Sequence, residues 1–331
     1  MAVFYFETGS TDPCYNLAYE EYLLKNRNED NILMLWQNAN TVVVGLNQNA
    51  AEEINSDFVK ERNITVVRRT TGGGAVYHDL GNINYSFITS VGDISGVSVA
   101  AFSMPVCRAL SSMGLRAELS GRNDIIVEGK KVSGVAQRVY KNRILHHGTL
   151  LFDSDPTMIA GALKADKAKF ESKSTKSVSA RIGNIKDYIK NDMSIDEFWD
   201  RIREELSREG SVRADLTAKE KRRVEAEAEE KYRSWEWTYG KSPEYNFKNR
   251  ARYSGGTLEV RLNVEHGIIK NISFSGDFMA IKDSGEAVTA LIGQKLIESD
   301  VREALAVTDI SAVFGGISLD EVVKTIFNGM E

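Results

Sequence analysis

Cysteine is scarce in this chain, which has only Cys14 and Cys107 among its 331 residues. Both lie in sequence with the pattern of a helix, where a lone thiol is more often a buried small apolar side chain than half of a disulfide. We therefore predict two reduced thiols and no disulfide bridge.

Long apolar runs and an excess of positive charge are also missing. No uncharged stretch is long enough to cross a bilayer, and residues 1–8 read as a short strand rather than a secretory signal. We expect a cytoplasmic protein without a membrane span. The net charge of -5 argues against broad nucleic-acid affinity, so any anion site must be a local group of basic residues.

The length and a change of pattern near Pro243 predict two domains. A chain of 331 residues exceeds what one hydrophobic core usually organises. A charged helix at residues 217–231 leads through two tryptophans to Pro243, and alternating strands then begin again. We place a large catalytic domain at residues 1–243 and a small α+β domain at residues 244–331.

Hydrophobic periodicity predicts the α+β class for the large domain. Asp12-Pro13 is a helix-start signal, and the turn signals Glu128-Gly129 and Lys141-Asn142 join neighbouring strands as hairpins. We therefore predict mixed or antiparallel sheets flanked by helices, not a doubly wound parallel sheet. The predicted strands are residues 32–37, 41–46, 64–68, 83–89, 124–127, 132–140, 144–152, 258–264 and 268–274, and the predicted helices start at Pro13 or cover residues 56–62, 99–113, 280–292, 300–307 and 319–327.

The segment from residue 164 to residue 181 is polar and rich in lysine and serine. It has little apolar material to hold it in place, so we expect it to be mobile. It is a candidate lid that carries Lys173, Lys176 and Arg181, and an ordinary solvated surface explains the same residues equally well.

The most informative segment is residues 68–79, RRTTGGGAVYHD. Three consecutive glycines let a backbone bring its N–H groups against a ligand, and such a loop can hold phosphate. It is not a P-loop, because no Lys-Ser/Thr pair follows, and it lacks the dinucleotide-binding spacing. A plain wide turn explains an isolated glycine run as well, but the planar fork of Arg68 or Arg69 suits a carboxylate or phosphate.

A second segment combines GRND at residues 121–124 with GKKVSGVAQ at residues 129–137, and a third is HHGTLL at residues 146–151. Taken singly, a lysine pair in a hairpin is most often a solvated turn. Spacing alone therefore does not establish a function for Lys130 and Lys131.

Together these segments resemble the lipoate-protein ligase family, whose members share an RRxxGGGAV(Y/F)HD motif, a KxSGxA motif and a following HGTL. All three occur here in the family's order, and Gly81-Asn82 extends the first. The resemblance covers the large domain, and the chain after Pro243 is similar to the accessory domain of the long bacterial form.

The resemblance implies an enzyme that uses ATP and Mg²⁺ to convert lipoate to lipoyl-AMP. The lipoyl group would then pass to a lysine of an acceptor, either a lipoyl domain of a 2-oxoacid dehydrogenase E2 subunit or the glycine-cleavage H protein. Lys131 would be catalytic and hold the carboxylate and the α-phosphate, Asp124 would lie near the metal, and Arg69 and the loop backbone would hold the phosphates and the acyl chain. The residues implied to bind ATP or lipoate are Leu17, Arg69, Gly72, Gly73, Gly74, Ala75, Val76, Tyr77, His78, Asn82, Lys131, Ser133, Gly134, Ala136, His147, Gly148, Thr149 and Arg181.

Some of these assignments have a plain structural alternative. Leu17, Trp36 and Val44 are candidate walls of an apolar tunnel for the acyl chain, and a simple core role is at least as good an explanation for each. The two histidines, His78 and His147, match pocket positions of the family, although a lone histidine on a strand is more often a satisfied core group.

Three rival functions can be weighed against the ligase. An octanoyl or lipoyl transferase of the same superfamily needs a cysteine nucleophile, but Ile144 stands where one transferase branch has cysteine. A biotin ligase would carry a Gly-Arg-Gly-Arg loop, which is not found here. A catalytically idle protein that binds lipoyl domains or lipoate would not require ATP-directed groups, so the matched residues favour the ligase.

Overall fold

A computed structural model of the chain describes residues 3–27, 31–48, 50–91, 98–121, 123–163, 181–207, 210–239 and 247–327. Most of the candidate lid, with Lys173 and Lys176, lies outside these residues. The domain boundary after Pro243 also lies outside them and stays a prediction. No helix among the described residues is both long and apolar enough to cross a membrane.

Among the described residues, eleven strands form two sheets in the large domain. They are β1 (Val3–Glu7), β2 (Asn31–Trp36), β3 (Thr41–Val44), β4 (Thr65–Arg68), β5 (Val76–His78), β6 (Asn82–Ser90), β7 (Ala117–Ser120), β8 (Asp124–Val127), β9 (Lys130–Tyr140), β10 (Arg143–Leu151) and β11 (Ser211–Arg213). The larger sheet has the order β11-β1-β2-β6-β10-β9-β8-β7, and the smaller has the order β4-β3-β5. Both are mixed: β1 pairs in parallel with β2 and β11, and β3 pairs in parallel with β4.

Helices cover both faces of the larger sheet. The helices of the large domain are α1 (Pro13–Asn26), α2 (Ala50–Glu53), α3 (Ser56–Glu61), α4 (Val99–Ser112), α5 (Pro156–Ala162), α6 (Ile195–Leu206), α7 (Ala218–Glu227) and α8 (Trp235–Thr238). Of these, α3 and α5 pack with the smaller sheet. On one face α4 and α6 bury Leu110 and Phe198, and on the other α1 and α7 bury Leu17 and Val224. Each such side chain contributes roughly 1.5–3 kcal/mol by leaving water. Helix α1 starts as predicted. Asp12 accepts a hydrogen bond from the Cys14 N–H at 2.9 Å. Pro13 has no N–H, and none is needed in the first turn because that group would have no partner within the helix.

The small C-terminal domain is an antiparallel sheet packed on helices. Its elements are β12 (Phe247–Tyr253), β13 (Gly256–Glu265), β14 (Ile268–Gly276), α9 (Gly285–Leu291), α10 (Glu298–Leu305), α11 (Ile310–Phe314) and α12 (Leu319–Phe327). Leu258, Val260 and Leu262 alternate along the central strand and are fully buried against the helices.

The predicted fold class is confirmed, and so are both hairpins. Glu128 and Lys141 have positive φ angles of 48° and 53°, as tight turns require. The helix predicted at residues 280–292 is wrong in its first part, because it begins only at Gly285. Cys14 and Cys107 are free and buried, as expected.

Candidate active site

The glycine loop, residues 69–75, connects β4 to β5, and β3 pairs with both of these strands. Gly73 has a φ of 87°, a conformation that glycine adopts without the strain of a side chain. Gly45, which follows β3, comes so close that a Cβ there would lie 2.1 Å from the Gly73 carbonyl oxygen. The loop therefore needs glycine at these positions to fold, whatever it binds.

Arg69 is buried within the glycine loop and holds it from the inside. Its guanidinium group donates to the carbonyl oxygens of Gly72 (2.6 Å), Gly74 (2.9 Å) and Val43 (3.1 Å) and to Thr71 Oγ1 (3.0 Å). Burial lowers the pKa of Arg69 to about 10, so the side chain stays charged at neutral pH. Arg69 thus braces the loop, and its implied contact with nucleotide phosphates stays a prediction.

Arg68 has a different set of partners. Its guanidinium group donates to the carbonyl oxygens of Gly45 (2.8 Å), Leu46 (2.9 Å), Gln48 (2.6 Å), Trp237 (3.0 Å) and Thr238 (2.8 Å). In return, Trp237 Nε1 donates to the Arg68 carbonyl oxygen at 2.8 Å. Arg68 therefore ties the segment after β3 to α8, and of the two arginines only Arg69 contacts the loop.

A segment of the small domain lies against the glycine loop. The Phe278 carbonyl oxygen accepts a hydrogen bond from the Gly73 N–H at 3.3 Å, and Gly276 N donates to the Asn47 carbonyl oxygen at 2.8 Å. A Cβ at Gly72 would lie 3.0 Å from the Phe278 oxygen. One N–H of the loop is thus paired with the small domain in this structure.

Lys131 lies at the start of β9, close to the hairpin turn that joins β8 to β9. Its Nζ forms an ion pair with Asp124 Oδ1 at 2.7 Å, and each side chain is about one-third exposed, 36% and 35%. Asp124 is the register partner of Gly134, and a Cβ at Gly134 would lie 3.2 Å from the Lys131 Nζ. The glycine of the KxSGxA motif therefore leaves room for the lysine side chain.

Strand β10 brings Lys131 and the glycine loop to one face of the larger sheet. The Gly134 N–H beside Lys131 donates to Thr149 Oγ1 at 3.2 Å. His147 lies two residues before Thr149, so both side chains point to the same face. His147 Nε2 is 2.8 Å from Thr71 Oγ1, and Thr71 directly precedes the glycines. These contacts link β9 to the glycine loop through Thr149 and His147 on β10, and the predicted meeting of the lysine with the loop stays a prediction.

The predicted tunnel residues lie in the core beneath the glycine loop. Leu17 and Trp36 belong to one apolar cluster, and Val44 is fully buried. His78 packs edge-on against Trp36, with ring centroids 6.4 Å apart, and its Nδ1 is 3.2 Å from Asn38 Nδ2. Burial lowers the pKa of His78 to about 3, so the ring is neutral at ordinary pH. Their predicted contact with an acyl chain stays untested.

The other residues predicted to bind ATP or lipoate are spread over the large domain. Tyr77 packs in a separate cluster, and its hydroxyl donates to Asn40 Oδ1 at 2.9 Å. A Cβ at Gly148 would collide with the Tyr85 hydroxyl at 2.5 Å, so this glycine is required for packing. Asn82 and Ser133 are fully buried, and Ala136 is the register partner of His147. Arg181 is exposed, and its neighbour Ile182 bridges to Lys131, which brings Arg181 to the edge of the site.

Glu20 and Ser86 also belong to the site, although no sequence motif indicates them. The His147 Nδ1 lies 2.9 Å from Glu20 Oε1 and 3.1 Å from Oε2, and Ser86 Oγ donates to Glu20 Oε1 at 2.5 Å. Glu20 is only 2% exposed, and a buried carboxylate needs such partners. An acidic pair, Glu20-Glu21, among the apolar residues of α1 was the available signal.

Asp124 is the residue predicted to lie near a metal ion. Among the described residues there is no group of three or more histidine, cysteine, aspartate or glutamate side chains suited to a metal ion. Mg²⁺ commonly keeps several waters and uses one or two carboxylates plus substrate phosphates. A single carboxylate such as Asp124 is compatible with that mode, and its role as a metal ligand remains a prediction.

The Gly134→Ala variant tests whether the Lys131 side chain needs the space beside Gly134. We expect Gly134→Ala to lower lipoate-dependent pyrophosphate release by about 10-fold, because the new Cβ displaces the flexible end of Lys131. The free energy of unfolding should change by less than about 0.5 kcal/mol, since only a side-chain tip moves. Adding Gly134→Ala to Lys131→Ala should cause no further loss. An additive loss would show that the effect does not pass through the lysine.

Comparison with known families matches both parts of the chain. Residues 12–207 match the lipoyl protein ligase A/B catalytic domain, and residues 242–326 match the bacterial lipoate protein ligase C-terminus. The chain is 39% identical over 321 residues to lipoate-protein ligase LplJ of Bacillus subtilis, covering 96% of this chain and 97% of the relative. It is also 39% identical over 316 residues to lipoate–protein ligase 1 of Staphylococcus aureus, covering 95% and 96%.

Comparison with solved structures also finds lipoate-protein ligases. LipL1 of P. falciparum in complex with lipoate superposes with a TM-score of 0.79 at 25% identity, covering 98% of each chain. A lipoate-protein ligase A bound with ATP has a TM-score of 0.62 at 29% identity, covering 72% of this chain and 98% of the other. The bipartite ligase of Thermoplasma acidophilum, studied with its E2 lipoyl domain, has a TM-score of 0.64 at 30% identity, covering 74% and 98%.

Proposed function

The chain belongs to the family of bacterial lipoate-protein ligases, and we propose that it activates lipoate with ATP and attaches the lipoyl group to a lysine of an acceptor protein. The observation that carries this proposal is the position of Lys131. Its ammonium group forms an ion pair with Asp124, and Thr149 and His147 link the strand that carries it to the glycine loop. A fixed cation and a loop of backbone N–H groups are what two anionic reactants need in order to meet.

The first step joins two negatively charged groups. A lipoate oxygen forms a bond to the α-phosphorus of ATP, and the bond from that phosphorus to the pyrophosphate oxygen breaks. Two unit charges 4 Å apart repel by about 4 kcal/mol at the effective dielectric constant of a protein surface. Lys131 offsets this repulsion and stabilises the charge that develops on the α-phosphate.

Magnesium fits this step through Asp124. Mg²⁺ would neutralise part of the triphosphate charge when bound. Asp124 would hold it together with phosphate oxygens and water, since the described residues offer no larger cluster of ligands near Lys131. Lys131 would then exchange its ion pair with Asp124 for contact with the substrate anions.

The second step forms the stable product. The unprotonated amine of the acceptor lysine attacks the acyl carbon of lipoyl-AMP, the bond from that carbon to the phosphate oxygen breaks, and AMP leaves. The reaction forms an amide and needs no enzyme nucleophile. The sequence has only two cysteines, both buried, and burial raises the pKa of Cys14 to about 12. This argues against the rival transferase with a thiolate nucleophile.

The proposed acceptors are lipoyl domains of 2-oxoacid dehydrogenase E2 subunits and the glycine-cleavage H protein. The archaeal ligase that resembles this chain was studied with its E2 lipoyl domain, which supports the first class. The H protein is proposed from the resemblance of the motifs alone.

Intact mass measurement tests the net reaction. The purified chain is incubated with ATP, Mg²⁺, lipoate and an apo lipoyl domain, and we expect a mass increase of one lipoyl group on the acceptor. Omitting ATP is the control, and pyrophosphate release without acceptor reports the first step alone. Transfer that does not depend on ATP would identify a transferase, and binding of lipoate without pyrophosphate release would identify an idle binding protein.

A further inference from the structure

A buried amide on strand β6 has a hydrogen-bond donor without an acceptor. Asn84 is only 2% exposed, and its Oδ1 accepts a hydrogen bond from Asn82 Nδ2 at 3.1 Å. The other end of the amide, Nδ2, has no hydrogen-bond partner among the residues that the structure describes. A buried donor in this state lowers stability, and almost all such groups in folded proteins have a partner. A ligand that brings an acceptor to this nitrogen would remove the cost.

Asn84 lies within a row of residues that crosses one face of the larger sheet. Its register partners are Trp36 on β2 and Thr149 on β10. Strand β9 contributes Gly134, whose N–H donates to Thr149 Oγ1, and β8 contributes Asp124, the register partner of Gly134. Side chains directly opposite each other on neighbouring strands share a face, and neighbouring strands lie about 4.8 Å apart. Asn84 and Gly134 are therefore about 10 Å apart on the same face.

The row changes from apolar to charged along its length. At one end Trp36 belongs to the apolar cluster in which we predict the acyl tunnel. Toward the other end is the ammonium group of Lys131, 3.2 Å from the position that a Cβ at Gly134 would take. Asn84 stands between the two. A fatty acid with its tail near Trp36 and its carboxyl group directed toward Lys131 would bring a carboxyl oxygen to the free N–H of Asn84.

We propose that Asn84 is a catalytic residue whose side-chain N–H binds the acyl oxygen of the substrate, with Lys131 on the other side of the carboxyl group. The proposal rests on the proposed function and deepens it. It gives the reacting carboxyl group a neutral donor in addition to a cation, and the donor belongs to the same pocket as the acyl chain. Removing this N–H should therefore affect both the binding of lipoate and the chemistry at the acyl carbon.

The two steps of the reaction make different demands on this donor. In the first step the carboxylate becomes a mixed anhydride, and the oxygen that does not attack loses negative charge. An N–H on that oxygen helps to bind lipoate and does not speed the step. In the second step the amine nitrogen bonds to the acyl carbon, and the electron pair of the C=O bond moves onto the same oxygen. The pair returns when the bond to AMP breaks and the nitrogen releases a proton to water. The Asn84 N–H would stabilise this transient negative charge.

Asn84→Leu tests the donor, because leucine has a similar volume and no polar atom. We expect transfer from supplied lipoyl-AMP to an apo lipoyl domain, measured after rapid mixing, to slow by about 100-fold. The Kd for lipoate should rise by about 10-fold, since a hydrogen bond to a charged group is lost. The single-turnover rate of pyrophosphate release at saturating lipoate should stay within about threefold. If the leucine variant does not fold, Asn84→Ala removes the same donor and is measured in the same way.

The difference between the two steps separates a catalytic role from a structural one. Transfer within about threefold of the unaltered protein would overturn the proposal. Equal losses in pyrophosphate release and in transfer would also overturn it, because they would mean that Asn84 only supports the shape of the site. If the unaltered protein released no pyrophosphate with lipoate and ATP, the proposed function itself would be contradicted, so the two failures are distinguishable.

Discussion

Replacing Lys131 with alanine is expected to lower both pyrophosphate release and acceptor lipoylation by about 10²–10³-fold. Removing one preorganised stabiliser of transition-state charge typically costs about 3–4 kcal/mol, and Lys131, which pairs with Asp124, is the cation that we propose for the two anions. The fold should survive, because the Lys131–Asp124 pair is one-third exposed and such pairs contribute about 0–1 kcal/mol to stability. Rates are measured by release of pyrophosphate and by intact mass of the acceptor.

The neighbouring lysine provides a matched control. Lys130 has the same charge and lies on the same strand, but alternation turns its side chain to the opposite face. We expect Lys130→Ala to keep the rates of both steps within about twofold. If Lys131→Ala retained substantial turnover, or if both alanine variants were equally impaired, the specific role of Lys131 would be wrong.

The elements of the fold that depend on local sequence could be predicted. Alternating apolar residues revealed the long strands β6, β9 and β10, and the two hairpin turns between β8, β9 and β10 follow from residues that tolerate a positive φ. The motifs also predict that the glycine loop and Lys131 belong to one site. Each of these signals is contained in one short segment of the chain.

Features that depend on distant partners were not predicted. Strands β5 and β11 have only three residues each, and they exist because β3 and β1 offer hydrogen-bond partners. The residues just before Gly285 have helical character, yet Phe278 and Ile281 instead contact the glycine loop and β9 through their backbone. Glu20 and His147 are separated by 127 positions, so no local pattern could reveal their contact.

The glycine loop is held from three sides, and these contacts limit which side chains fit there. Arg69 holds two of its carbonyl oxygens from within, Phe278 accepts one of its N–H groups from the small domain, and Gly45 packs against its backbone. Each contact involves main-chain atoms, which cannot move aside as a side chain does. A side chain added at a contact point must therefore displace the loop itself.

Gly45→Ala is expected to impair activity by about 100-fold although residue 45 lies outside the glycine loop. Its Cβ would lie 2.1 Å from the Gly73 carbonyl oxygen, so the backbone must shift by about 1 Å, a displacement that can cost 10²-fold in rate. Overpacking should also cost about 1–3 kcal/mol of stability, measured by thermal unfolding. Gly74→Ala is the matched folding control, because a Cβ there meets nothing within 4 Å and its unfolding midpoint should not change. Equal midpoints for the two variants, with full pyrophosphate release by Gly45→Ala, would show that the loop is not held in this way.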